Sequence, residues 1–180
     1  MSERGIYPEA ILRSSPNFNE RPEGIAIKLL VLHNISLPPK LYENPFIDDL
    51  FMNRLDGQAH PYFREIAHFE VSAHCLIERT GRVVQYVPFE HRAWHAGVSF
   101  WQGRENVNDF SIGIELEGCD SEPFTQEQYL ALAQLAEFLK QEYPTIEAVC
   151  GHSDIAPGRK TDPGPCFEWC KITHCLPHIT

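Results

Sequence analysis

"GIAIKLLVLHN" (24–34) is a nearly continuous apolar run, broken by Lys28, that ends in the polar residues His33 and Asn34. A strand with one wet face alternates apolar and polar side chains. A run without alternation fits a strand buried on both faces, as in parallel sheets covered by helices. The run therefore predicts a central strand that delivers a histidine to its C-terminal end. Working outward, "TIEAVC" (145–150) reads as a second short strand, followed at once by Gly151 and His152. "DFSIGIELEG" (109–118) alternates as a strand does, and "SAHCLIERTGRVVQYV" (72–87) is two strand-like runs joined at Thr80-Gly81, a hairpin. "PFIDDLFMNRL" (45–55) and "PYFREIAHF" (61–69) start with proline and space apolar residues as a helix does. The clearest helix follows Thr125, an N-cap completed as a capping box by Gln128, with Tyr129, Leu132, Ala133, Ala136 and Leu139 on one face before Pro144 stops it. Strands mixed with helices, one hairpin among them, predict a mixed α/β fold: a single domain with a central mixed β-sheet flanked by α-helices. The first 24 residues read as an extended arm laid over a domain spanning 25–180.

The bulk properties narrow the function. A length of 180 residues supports a sizeable core, and a formal net charge of -10 disfavours long-range attraction to nucleic acid or anionic lipid. No apolar stretch approaches the roughly 20 residues that span a bilayer. The N-terminus lacks the basic start and apolar run of a signal peptide. The expectation is a cytoplasmic monomer without nucleic-acid or membrane partners. Its six cysteines (Cys75, Cys119, Cys150, Cys166, Cys170 and Cys175) are then reduced thiols.

"GHSDIAPGRKTDPGP" (151–165) resembles neither helix nor strand; its prolines and glycines shape a stiff loop. If the two histidine-bearing strands run parallel and adjacent, His33 and His152 emerge at one sheet edge, where open α/β sheets bind ligands. Asp162 would return to that edge at the far end of the loop. Two histidines and a carboxylate are a usual catalytic zinc set, with one position left open. The plainer alternative leaves His33 a strand-end hydrogen-bonder, His152 a loop residue and Asp162 a turn former.

Glu115 interrupts an apolar strand, in phase with Gly113 and Glu117. Either all three face solvent, or Glu115 is a general base beside the metal, with Glu117 competing for the role. Lys160 is either an oxyanion stabiliser or a surface charge. In "RAWHAG" (92–97), Trp94 and His95 either line a groove for a sugar and peptide or fill a gap. His74 reads as a core or sheet-face histidine. The tail's Cys166, Cys170, His174 and Cys175 lack a CxxC pair and are not expected to hold a structural zinc.

Five segments, "VLHNISLPP" (31–39), "VSAHCLI" (71–77), "RAWHAG", "NDFSIGIELEG" (108–118) and "GHSDIAPGRKTDPGP", resemble the N-acetylmuramoyl-L-alanine amidases of the AmpD type, in the same order. The resemblance runs from about Ile25 to Trp169. It implies one Zn2+ per chain on His33, His152 and Asp162, and Glu115 with Lys160 as the catalytic pair. Relatives commonly carry cysteine where this chain has Asp162. Asn34, Tyr62, Trp94 and His95 are the residues expected to contact substrate. The implied fold is the one shared with peptidoglycan recognition proteins and phage T7 lysozyme. The implied reaction is cleavage of the amide joining N-acetylmuramic acid to L-alanine. Its implied substrates are imported 1,6-anhydro-muropeptides in wall recycling, with a possible influence on β-lactamase induction. A non-catalytic muropeptide-binding module and a zinc carboxypeptidase acting within the stem peptide are the alternative classes.

Overall fold

The computed structural model describes residues 5–179. Its centre is a six-stranded sheet in the order β1-β5-β4-β9-β3-β10. These strands are Ile11–Leu12, Val83–Gln85, Cys75–Ile77, Ser111–Glu117, Leu29–Ile35 and Ala148–Gly151, respectively. β4, β9, β3 and β10 are mutually parallel, whereas β5 returns antiparallel to β4 and carries β1 parallel on its outer side. The sheet is therefore mixed, as the sequence predicts. The apolar run around residue 30 does form the interior strand β3, with Leu29, Leu30, Val31 and Leu32 fully buried between two faces.

One face is covered by helix α3 (Gln126–Glu142). The Thr125 side chain accepts the Gln128 N–H, and the Gln128 side chain accepts the Thr125 N–H. The Gln128 amide also donates to the carbonyls of Ile77 and Glu117, so the cap residue ties the helix to two strands. Tyr129, Leu132, Leu135, Ala136 and Leu139 pack on Leu30, Leu32, Ile112, Ile114 and Leu116. Each large side chain so buried contributes about 1.5–3 kcal/mol.

The other face is covered by helices α1 (Phe46–Phe51) and α2 (Phe63–Ile66) and by the segments around 92–110. Both helices are shorter than their sequence spacing suggests. α1 ends because Asn53 takes a left-handed conformation (φ 57°), where its amide exchanges hydrogen bonds with Asn17. α2 buries Phe63 alone, too little apolar surface to hold a longer helix.

Residues 5–24 run extended and add β1 and β2 (Phe18–Asn19), the latter antiparallel to β6 (Arg92–Ala93). Arg21, in this arm, donates to the carbonyls of Phe89, Asn108, Asp109 and Ser111 and so braces the segment behind β9. A further two-stranded ribbon, β7 (Phe100–Trp101) with β8 (Arg104–Glu105), lies beyond it.

Candidate metal centre and active site

Parallel pairing sets the site. His33 is the register partner of Glu115, and Gly151 pairs with Leu32, so His33, Glu115 and His152 reach one sheet edge from three adjacent strands. The loop after β10 is not wholly irregular, as its sequence suggests. His152–Ile155 forms one helical turn, α4, because the Asp154 carboxylate accepts the Gly151 N–H at 2.7 Å. The loop then closes on itself: Ser153 N–H donates to the Asp162 carbonyl at 3.0 Å, and Asn34 donates to the Pro163 carbonyl at 3.0 Å. Gly151 is needed here, since a Cβ would stand 2.8 Å from the Pro163 ring.

These ties bring three donor atoms together. His33 Nδ1 and His152 Nδ1 are 2.9 Å apart, and each lies 3.0 Å from Asp162 Oδ2. Their outward nitrogens are engaged elsewhere: His152 Nε2 at 3.0 Å from the Ala96 carbonyl, His33 Nε2 at 2.9 Å from His95 Nδ1. A carbonyl can only accept, so His152 carries a proton on Nε2, and Nδ1 is the nitrogen it can offer to a cation at the triangle. Burial, reinforced by His152, pushes the His33 pKa down to about 4 and keeps the ring neutral. Burial alone would raise the Asp162 pKa, but once the facing rings of His152 and His33 take up protons, their hydrogen bonds and charge prevail and hold it well below the usual carboxylate range. Two imidazoles and a carboxylate converging on one point fit a divalent cation.

Glu115 and Glu117 share a sheet face with Gly113, as their spacing requires, but that face is buried rather than wet. Glu117 is fully used: its two oxygens accept the backbone N–H groups of Glu43 (2.8 Å) and Arg79 (3.0 Å). Glu115, only 9% exposed, has an Oε2 with no hydrogen-bond partner. Burial first, then the Asp162 charge, raises its pKa well above that of an ordinary glutamate, against a lowering influence from Lys160.

His33, Glu115, His152 and Asp162 line one open cleft of about 520 Å³. Lys160 stands exposed at its rim, while Leu37, Phe51, Tyr62, Phe69 and Trp94 make its wall apolar and aromatic. Asn34 and His95 line it as well, but Asn34 donates to Asp120 and Pro163, and both ring nitrogens of His95 meet protein partners, His33 and Ser111. His74 is a buried structural histidine, its Nδ1 accepting from the Gly113 N–H and its Nε2 meeting the His91 carbonyl. In the tail, His174 and Cys175 lie near Glu137, without Cys166 or Cys170. The supports behind the histidines (Ala96, Asn108 and Ser111) were not legible in the sequence, because each acts through a backbone group or a small polar side chain.

Fold and donor set together define the class: an α/β enzyme with a metal-binding capacity at the C-terminal edge of a mixed sheet. The family model described as N-acetylmuramoyl-L-alanine amidase matches residues 23–165, and the chain belongs to that family. The chain is 58% identical over 159 residues to the 1,6-anhydro-N-acetylmuramyl-L-alanine amidase AmpD of Escherichia coli, covering 88% of this chain and 87% of the relative. A crystal structure of a selenomethionine AmpD derivative superposes with a TM-score of 0.94 at 52% identity, covering 98% and 99% of the two chains. A more distant likeness, with a TM-score of 0.61 at 32% identity, is to Escherichia coli AmiD in complex with the substrate anhydro-N-acetylmuramic acid-L-Ala-D-gamma-Glu-L-Lys. It covers 87% of this chain and 60% of AmiD. The described residues contain no helix long and apolar enough to cross a membrane.

Proposed function

We propose that this amidase acts on 1,6-anhydro-muropeptides, hydrolysing the amide between the lactyl group of the sugar and L-alanine, with one zinc held by His33, His152 and Asp162. The observation that carries the reading is the buried, unpartnered carboxylate oxygen of Glu115 beside a triangle of three metal-donor atoms. Burying such a group without a partner costs free energy that a purely structural strand would not retain. The names of the relatives, and the anhydro-sugar substrate bound to AmiD, support the choice of substrate.

Zinc bound there supplies Lewis acidity toward a carbonyl oxygen and lowers the pKa of a water to about 7. Glu115 takes the proton of the attacking water and returns it to the departing nitrogen, a task suited to a carboxylate with a raised pKa. Lys160, on the rim of the same cleft, offers its ammonium to the oxyanion of the tetrahedral intermediate. Tyr62 and Trp94 give the sugar and the first peptide residues an apolar wall. The enzyme works as a monomer in the cytoplasm on imported wall fragments, and the level of its substrate influences β-lactamase induction.

The test is mass spectrometry of one anhydro-muropeptide after incubation with zinc-loaded and chelator-treated protein. The expected products are the intact stem peptide and the free anhydro-sugar, with zinc only. Shortened stem peptides would mean a carboxypeptidase. Binding without cleavage would mean a recognition module.

A further inference from the structure

The segment Trp94–Ala96 passes directly behind both metal-site histidines. The buried Asn108 holds it there, its Oδ1 accepting the N–H groups of His95 (3.2 Å) and Ala96 (2.8 Å). From this clamped segment two groups reach the histidines, the Ala96 carbonyl at His152 Nε2 and His95 Nδ1 at His33 Nε2. The far nitrogen of His95 lies 3.1 Å from Ser111 Oγ. Its ring lies over Gly113, where a Cβ would come within 2.3 Å of His95 Cγ. With a metal on His33 Nδ1, a single direction of proton donation remains along these contacts: His33 Nε2–H to His95 Nδ1, and His95 Nε2–H to Ser111 Oγ. In that direction His33 Nδ1, like His152 Nδ1, is left as a lone pair.

We infer that His95, backed by Ser111, is a positioning residue that fixes the tautomer and aim of His33, while the Ala96 carbonyl of the same segment does so for His152. The inference rests on the zinc reading above. Partners of this kind raise ligand basicity, and losing one weakens metal affinity by about 10–100-fold. His95 thus touches the metal ligand and not the reacting bond.

The experiment compares wild-type protein with His95→Phe, which keeps a ring over Gly113 and removes both nitrogens. Zinc affinity is measured by competition with a chromophoric chelator, and ring tautomers of the metal-free protein by 15N NMR. The expected result has two parts. Zinc binding weakens by about 10–100-fold at an unchanged melting temperature of the metal-free protein. His33 also loses its Nε2–H tautomer while His152 keeps its own. Unchanged affinity, an unchanged His33 tautomer, or an affinity loss that merely follows a lower melting temperature overturns the inference. Should His95→Phe fail to fold, Ser111→Ala decides: weaker zinc binding supports the role and wild-type binding overturns it. A wild-type protein that takes up no zinc overturns the metal reading itself. Zinc bound equally tightly by wild type and His95→Phe overturns this inference alone.

Discussion

Glu115 and Glu117 project from the same face of β9, two residues apart, yet one carboxylate is satisfied and the other is not. That difference separates two substitutions that look alike on paper. Glu115→Gln should retain zinc and lower turnover by about 10²–10⁴-fold, the usual worth of a positioned proton carrier. Glu117→Gln should stay active but lose about 1–3 kcal/mol of stability, because an amide NH2 would face a backbone N–H that now donates to an oxygen. Kinetics and urea denaturation on both variants check this. A dead Glu117→Gln alongside an active Glu115→Gln would reverse the assignment. Lys160 is separable in the same way. It lines the cleft but does not belong to the donor triangle, so Lys160→Ala should keep its metal and lower kcat by about 10²–10³-fold with KM little changed. A raised KM at constant kcat, fading on shorter stem peptides, would show instead that the ammonium binds a peptide carboxylate.

Whole elements transmit these placements, and they differ in how plainly the sequence announces them. β3 was legible because a nearly continuous apolar run has few other uses, and α3 because its capping box and apolar face agree. His33, His152 and Asp162 could be named as candidates, but only strand order puts them within 3.0 Å of one another, and order is a tertiary property. The burial of Glu115 and Glu117 was not legible either. Alternation shows which residues share a face, while whether that face is wet depends on α1, α2 and the 92–110 segments lying over it. At Gly113 the covering segment packs so closely on the sheet that a Cβ would come within 2.3 Å of His95 Cγ. Gly113→Ala should displace the His95 ring, costing about 1–3 kcal/mol from overpacking and part of the zinc affinity. Thr125→Ala, which removes the cap of α3 on the opposite face, should cost a similar ~1 kcal/mol and leave zinc affinity untouched. Equal zinc loss in the two variants would mean that affinity follows global stability rather than the His95 contact.

At the scale of the molecule, several buried histidines make stability depend on acidity even without metal. Burial and the nearby Arg21 push the His74 pKa down to about 3, burial and His152 push His33 to about 4, and burial with its histidine neighbours holds His95 well below its usual range. In the unfolded chain each titrates near 6.5. Below that value the unfolded state takes up protons that the folded state refuses, so stability falls as pH drops from about 6.5 toward about 4. Glu115 acts in the opposite sense. Its raised pKa lets the folded state hold a proton where an unfolded glutamate has lost it, which partly offsets the histidines. Asp162, held low by its two histidines, adds to the loss only below its ordinary unfolded value of about 3.9. Urea midpoints of the chelator-treated protein should therefore decline across this acid range. The decline should steepen in Glu115→Gln, which removes the offsetting proton uptake. Added zinc should raise the midpoint near neutrality by mass action, with the increment shrinking in acid as protons compete for His33 and His152. A midpoint independent of pH in the metal-free protein would mean that these rings accept protons without unfolding. A slope left unchanged by Glu115→Gln would mean that Glu115 is ionised in the metal-free fold.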